Sequence, residues 1–355
     1  MNPLSQQLRE QIQRHGPLPF AEFMAQALYH PTRGYYHRTL EQIGKRGDFF
    51  TSVSVGSFFG ELLAFQFARW TEAGPVPGAL FQIVEAGAHD GQLARDILDA
   101  IEDQEPTMFA SLEYWIIEPS ATRQAAQQST LARFHNVRWW ESLTEIKERV
   151  HGVIFSNELL DAMPVHPFAW NAAQRRWEEM GVTWNGDAFA WTRLERPTVP
   201  SPTFPDALLD VLPNDYIVEV SSAAQQWWRD ATAALVQGRL LAIDYGGSLE
   251  ELLSPSRTSG TLRAYSQHQV SSDVLADPGG QDITAHVNFF EIQRAGEMAG
   301  LKTDAFTTQE QFLTEIARGL WTRRGSWPQN QVRQFQTLTH LEHLGRVFRV
   351  LIQSR

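Results

Sequence analysis

The chain is predicted to adopt an α/β fold with a parallel, doubly wound sheet, and three observations predict it. From Leu80 onward, short apolar runs alternate with segments of helical periodicity. The run Leu80–Val84 passes through Glu85-Ala86-Gly87-Ala88-His89-Asp90-Gly91 into a segment whose apolar residues Leu93, Ile97, Leu98 and Ile101 recur at helical spacing. A second strand-like run, Arg239–Ile243, ends in Asp244-Tyr245-Gly246-Gly247, so the pattern resumes late in the chain.

The elements follow in order. Leu4–Arg14 reads as a helix closed by Gly16, Phe20–Leu28 as one closed by His30-Pro31, and Val55–Glu72 as one closed by Gly74-Pro75. A polar, glycine-bearing loop from Gly34 to Ser52 joins the last two. Strands at 80–84, 114–117, 137–139 and 153–155 then alternate with helices at 92–102 and 121–132. After Pro164 the alternation lapses into three antiparallel strands, 167–170, 177–184 and 188–193, followed by the proline-rich linker Arg196–Pro205. A helix at 222–236 returns the chain to the strand at 239–243, and 346–352 reads as a terminal strand after a polar helix. The expected organisation is a helical N-terminal extension, 1–76, a core, 77–166 and 216–355, and an antiparallel insertion with linker, 167–215. Trp170, Trp177, Trp184 and Trp191 on the inserted strands suggest an aromatic surface for self-association, hence a homodimer.

Composition narrows the function. In 355 residues, 41 acidic against 30 basic side chains give a net charge of −11, which argues against nucleic acid as the main partner. A hydrophobic fraction of 43% supports a substantial core. The absence of cysteine removes disulfides, thiolate nucleophiles and cysteine-based zinc sites, and no metal site is expected. With no apolar run of membrane-spanning length and no secretory pattern in the first residues, no membrane insertion is expected and the expected location is cytoplasmic.

The candidate chemistry lies at strand ends. A glycine turn at the carboxyl end of a parallel strand is where nucleotide-like ligands bind, because the backbone can be approached closely and a helix N-terminus supplies free N–H groups. Glu118, closing the second strand, suits the two hydroxyls of an adenosine ribose. Glu85 ahead of the glycines would repel a pyrophosphate and attract a cationic amino-acid moiety, which favours S-adenosyl-L-methionine over a nicotinamide dinucleotide. Asn157, Glu158 and Asp161 follow the apolar strand 153–155. Asn157 can hydrogen-bond a substrate nitrogen or the cofactor, and the carboxylates can orient a guanidinium. Asp282 and His286, four apart at an expected helix start, can reach the same cleft.

Seven stretches in order carry a resemblance: Gly47-Asp48-Phe49-Phe50-Thr51-Ser52, Phe59-Gly60-Glu61, Val84 to Gly91, Asn157 to Val165, Asp244-Tyr245-Gly246, Gly260 to Tyr265 with His268, and Asp282 to Phe289. With these the chain resembles, over nearly its whole length, the MidA-like family of S-adenosylmethionine-dependent methyltransferases, which includes mitochondrial complex I assembly factors that methylate a protein arginine. The resemblance implies a Rossmann-like, seven-stranded class I methyltransferase core, elaborated by the N-terminal part and the insertion. It implies S-adenosyl-L-methionine as cofactor and an arginine of a protein, such as a respiratory complex subunit, as substrate. Thr51 and Ser52 look like part of a lid over the cofactor, Glu85, Gly87, Ala88 and Gly91 like the methionine-binding turn, and Glu118 like the ribose ligand. Asn157 and Glu158 face the methyl-transfer region, with Glu158, Asp161 and His286 the catalytic candidates. The alternatives are an assembly factor that binds cofactor without turnover and a nicotinamide-dependent oxidoreductase. Two positions depart from the family: Val53-Ser54 replaces its Pro-Glu after Ser52, and His89 replaces the middle glycine of the turn. His89 is expected to point away from the ligand; the alternative is that its side chain weakens cofactor binding.

Overall fold

In a computed structural model of the chain, the described residues are 2–38, 51–72, 80–255, 257–266, 269–341 and 344–355. They divide into two units. One comprises residues 44–159, 227–245 and 291–355, the other residues 1–43, 160–226 and 246–290.

Among the described residues of the first of these, a seven-stranded sheet is formed by β1 (Phe81–Ala86), β2 (Leu112–Ile117), β3 (Val137–Trp140), β4 (Val150–Asn157), β5 (Leu235–Gly247), β6 (Lys302–Thr308) and β7 (Phe348–Ser354). The order is β3-β2-β1-β4-β5-β7-β6. Every pairing from β3 to β5 is parallel, whereas β7 runs antiparallel to both neighbours. Ile83, Val84, Val153, Ile154, Phe155 and Leu240 to Ile243 are buried, as expected for strands covered on both faces. Helices α1 (Phe58–Glu72), α2 (Gln92–Gln104), α3 (Ala121–Thr130) and α4 (Gln309–Arg324) accompany it. Phe58, Leu62, Phe67, Ile97, Ile101, Phe155, Leu313 and Ile316 share one apolar cluster. The parallel sheet expected from the strand–helix alternation is thus present. The helix expected over 55–72 is interrupted, because Gly56 at φ +144° ends a short helix, Ser52–Val55, before α1 starts at Phe58.

The sheet centre contains a close backbone approach. Gly152 of β4 lies opposite Gln82 of β1 and Gly238 of β5. A Cβ on Gly152 would fall 2.1 Å from the Gln82 carbonyl oxygen, and one on Gly238 would fall 1.9 Å from that of Gly152. Gly152→Ala is therefore expected to destabilise the protein by about 1–3 kcal/mol, since backbone and not a flexible side chain must yield. Urea denaturation measures this, and unchanged stability would show that the strands separate freely.

The other unit has its own cores. Helices Pro3–His15 and Phe20–Tyr29 bury Leu4, Leu8, Ile12, Phe20, Phe23, Met24 and Leu28 with Val165, Val182 and Ile283. Strands Leu18–Pro19, Arg176–Trp184, His166–Asn171 and Ile217–Val220 lie side by side in that order, with Phe189–Arg193 also on Arg176–Trp184. A smaller sheet joins Arg263–Ser266, Gln269–Ser271 and Asp282–Thr284. Two expectations are corrected here. Asp282 is not at a helix start: it opens a strand held by Arg263–Ser266, and the helix begins only at Phe289. Nor do the four tryptophans form a surface, since Trp170 and Trp177 are buried around Phe168, Leu212 and Tyr216 and only Trp191 is exposed. The Gly47 to Phe50 stretch and His268 lie outside the described residues.

Candidate active site

The tips of β1, β2 and β4 carry most of the predicted residues. Glu85, next to last in β1, is 2% exposed, and its Oε2 accepts a 2.6 Å hydrogen bond from the Tyr114 hydroxyl of β2. Burial raises its pKa to about 8, helped by Asp90 and Asp96, while the Tyr114 bond works in the other direction. The chain then turns through three residues of positive φ, Gly87 at +78°, His89 at +47° and Gly91 at +84°. The Gly91 amide donates to the Ala88 carbonyl at 2.7 Å, and Gly91 is the N-cap of α2. For the two glycines this conformation is easy; for His89 it costs on the order of 1–3 kcal/mol. The His89 imidazole Nδ1 is 3.6 Å from Asp90 Oδ1.

Glu118 follows β2. Its Oε1 accepts from the Ser120 amide at 2.9 Å and its Oε2 from Gln127 Nε2 at 3.1 Å. Burial raises this carboxyl above its ordinary range, against the Ser120 amide, Arg123, Gln127 and the His89 ring, all of which pull it down. Gln127 of α3, fully buried, also donates to the His89 carbonyl at 3.1 Å and accepts from Trp139 Nε1 at 3.0 Å. It fixes the β1 turn to the ends of β2 and β3. Sequence reasoning missed it, because a glutamine in a helix of mixed polarity carries no sign of burial.

At the end of β4, Glu158 adopts φ +53° while its amide donates to the Ile243 carbonyl of β5 at 2.9 Å. Its Oε1 accepts from the Ser52 amide at 3.2 Å and from Asn157 Nδ2 at 3.1 Å. Thr51 caps the short helix in which Ser52 lies, and Ser52 Oγ meets Gln309 Oε1 of α4 at 3.2 Å. Burial lifts the Glu158 pKa to about 8; the Asn157 bond lowers it, Asp244 raises it further and the Ser52 amide lowers it. Asp244 Oδ2 accepts from the Leu159 amide at 3.0 Å, fixing the chain just beyond Glu158. The structure therefore brings Ser52, Asn157 and Glu158 into one hydrogen-bonded group, and His89, Glu118 and Trp139 into a second around Gln127.

Asp161 and His286 belong to the other unit. The Asp161 carbonyl accepts from the Ala285 amide at 2.9 Å, and its carboxylate is among the groups that raise Tyr36, after burial and Asp282. The Tyr36 hydroxyl donates to Asp282 at 3.0 Å. His286 Nδ1 is 3.0 Å from Arg257 Nη1 and accepts from it; burial first, then Arg257 and Arg263, press its pKa to about 4, so the ring is neutral near pH 7. Among the described residues no group of three His, Cys, Asp or Glu side chains could hold a metal ion, and no helix is long and apolar enough to cross a membrane.

Buried acceptors at the sheet edge suit an adenosine cofactor with a cationic amino-acid end: the Glu85 and Glu118 carboxyls and Asn157 Oδ1, which has no partner among the described residues. A parallel sheet whose seventh strand is reversed between the fifth and sixth, with an acidic glycine turn after its first strand, defines a class I methyltransferase core. The chain belongs to the MidA-like family of S-adenosyl-L-methionine-dependent methyltransferases, whose model matches residues 62–307. It is similar to a Burkholderia thailandensis protein solved bound to S-adenosyl-homocysteine, with 31% identity and a TM-score of 0.84 over 99% of this chain and 92% of that one. It is also similar to a native structure from the same organism, at 30% identity and a TM-score of 0.81, covering 99% and 91%. Protein arginine methyltransferase NDUFAF7, mitochondrial, of Mus musculus is 28% identical over 85% of this chain and 72% of its own length. The Drosophila melanogaster homolog is 28% identical over 84% and 70%. The protein is thus a methyltransferase with S-adenosyl-L-methionine as its cofactor, and the nicotinamide alternative is set aside.

Proposed function

We propose that this methyltransferase acts on an arginine side chain of a protein. The observation that carries the reading is Glu158: a half-buried carboxyl held at the tip of β4 in a left-handed backbone, with one oxygen fixed by Ser52 and Asn157. Such a group can pair with a guanidinium, and strain of this kind is retained where geometry matters. The names of the animal relatives support the same substrate class.

In this reading Glu85, Gly87, Ala88 and Gly91 hold the methionine end of the cofactor, Glu118 the ribose, and Asn157 the region between cofactor and substrate, with Thr51 and Ser52 covering it. When bound, S-adenosyl-L-methionine supplies an electrophilic methyl group. Glu158 draws the guanidinium charge toward two of its nitrogens, leaving the third with a more available lone pair, and its carboxylate takes up, from a nitrogen that it holds, the proton that the guanidinium releases on methylation. A substrate guanidinium would itself favour the ionised form of Glu158.

The test is to incubate the protein with methyl-labelled S-adenosyl-L-methionine and a cell extract, then hydrolyse the labelled protein to amino acids. Methylarginine is expected. Label on lysine, or on a small molecule alone, would overturn the substrate assignment.

A further inference from the structure

The turn after β1 carries two costs at one residue. His89 holds a left-handed backbone between two glycines. Its Nε2 is shielded from solvent and has no hydrogen-bond partner among the described residues. Asp90 Oδ1 lies 3.6 Å from Nδ1, and with the ring proton on that nitrogen Nε2 is an acceptor. A buried acceptor with nothing to accept, at a strained position, points to a ligand that donates to it.

The neighbours say which donor. Gln127 Nε2 bonds both the His89 carbonyl and Glu118 Oε2, each at 3.1 Å, so the His89 turn and the Glu118 carboxyl flank one place at the sheet edge. Two neighbouring acceptors match a vicinal diol, which offers two O–H donors. We propose that His89 Nε2 accepts a hydrogen bond from a ribose hydroxyl of S-adenosyl-L-methionine, sharing the ribose with Glu118. The imidazole then strengthens cofactor binding where a glycine would leave the hydroxyl without this acceptor. The proposal rests on the reading that Glu118 holds the ribose.

Calorimetric titration of the full chain with S-adenosyl-homocysteine, and with its analogue lacking both ribose hydroxyls, tests it. His89→Gly, which removes the backbone strain and keeps the fold, is expected to weaken S-adenosyl-homocysteine binding by about 3- to 10-fold and to leave the analogue's affinity unchanged. Equal or tighter binding of S-adenosyl-homocysteine by His89→Gly would overturn the proposal. So would an equal loss for both ligands, which would mean that the ring only packs. Glu118→Ala separates the two readings: if it weakens binding while His89→Gly does not, only the His89 assignment falls, and if neither weakens it, the ribose site itself is misplaced.

Discussion

Glu158→Gln is expected to lower methyl transfer by about 10²–10⁴-fold, the usual range for loss of a positioned acid–base group. The replacement amide oxygen can still accept from the Ser52 amide and Asn157 Nδ2, so the local structure survives. What disappears is the charge that pairs with a guanidinium and the site that takes up its proton. Binding of S-adenosyl-homocysteine should stay within about threefold of wild type, below the scale of one net hydrogen bond to a charged group. Because the free Glu158 carboxyl ionises only near pH 8, log kcat/KM of the wild type should climb with pH up to that point and then level off. Glu158→Gln should lack this limb. Wild-type turnover in the variant would remove Glu158 from the chemistry.

The second large effect is on stability. Glu85 and Glu158 both rise from an ordinary 4.5 to about 8 through burial. Between those values the folded protein holds protons that the unfolded chain has released, so the free energy of unfolding falls as pH rises through the window. The stabilisation is complete below the unfolded pKa and is lost as pH passes the folded one. His286 acts with the opposite sign between about 4 and 6.5, which confines the uncomplicated fall to higher pH. Each pKa unit is worth about 1.4 kcal/mol, so two groups over the remaining one and a half units withdraw about 4 kcal/mol between pH 6.5 and 9. That is a sizeable part of a typical total of about 5–15 kcal/mol. Urea titrations of the ligand-free protein at the two pH values measure the fall, and Glu85→Gln or Glu158→Gln should each remove about half of it. A flat profile in the wild type would mean that water reaches both carboxyls.

The parallel strands were legible because each is a short apolar run followed by a turn: Phe81–Val84 and Leu240–Ile243 are mostly buried, and burial on both faces writes an unbroken hydrophobic stretch. Glu85, Glu118 and Asn157 could be read as polar residues closing such runs. β6 was not legible. Lys302-Thr303-Asp304 opens an edge strand with three polar residues in a row, and its order comes from pairing with β7. Asp282–Thr284 is too short to show a period and is made a strand by Arg263–Ser266. The backbone sign at His89 and Glu158 was hidden for another reason. Glycine announces a left-handed position, whereas histidine and glutamate hold one only when their surroundings impose it.

The interior position of β7 has a consequence for biosynthesis. Residues 348–354 come after everything they pair with, yet they fill the gap between β5 and β6. Until residue 354 clears the ribosome, β5 and β6 each present an unpaired edge, with Leu241 and Ile243 uncovered on one side. An unfinished nascent chain is therefore a template for strand addition by its neighbours on the same polysome. Slow synthesis or premature termination shortly before this segment should send the protein into aggregates in preference to a soluble, inactive form.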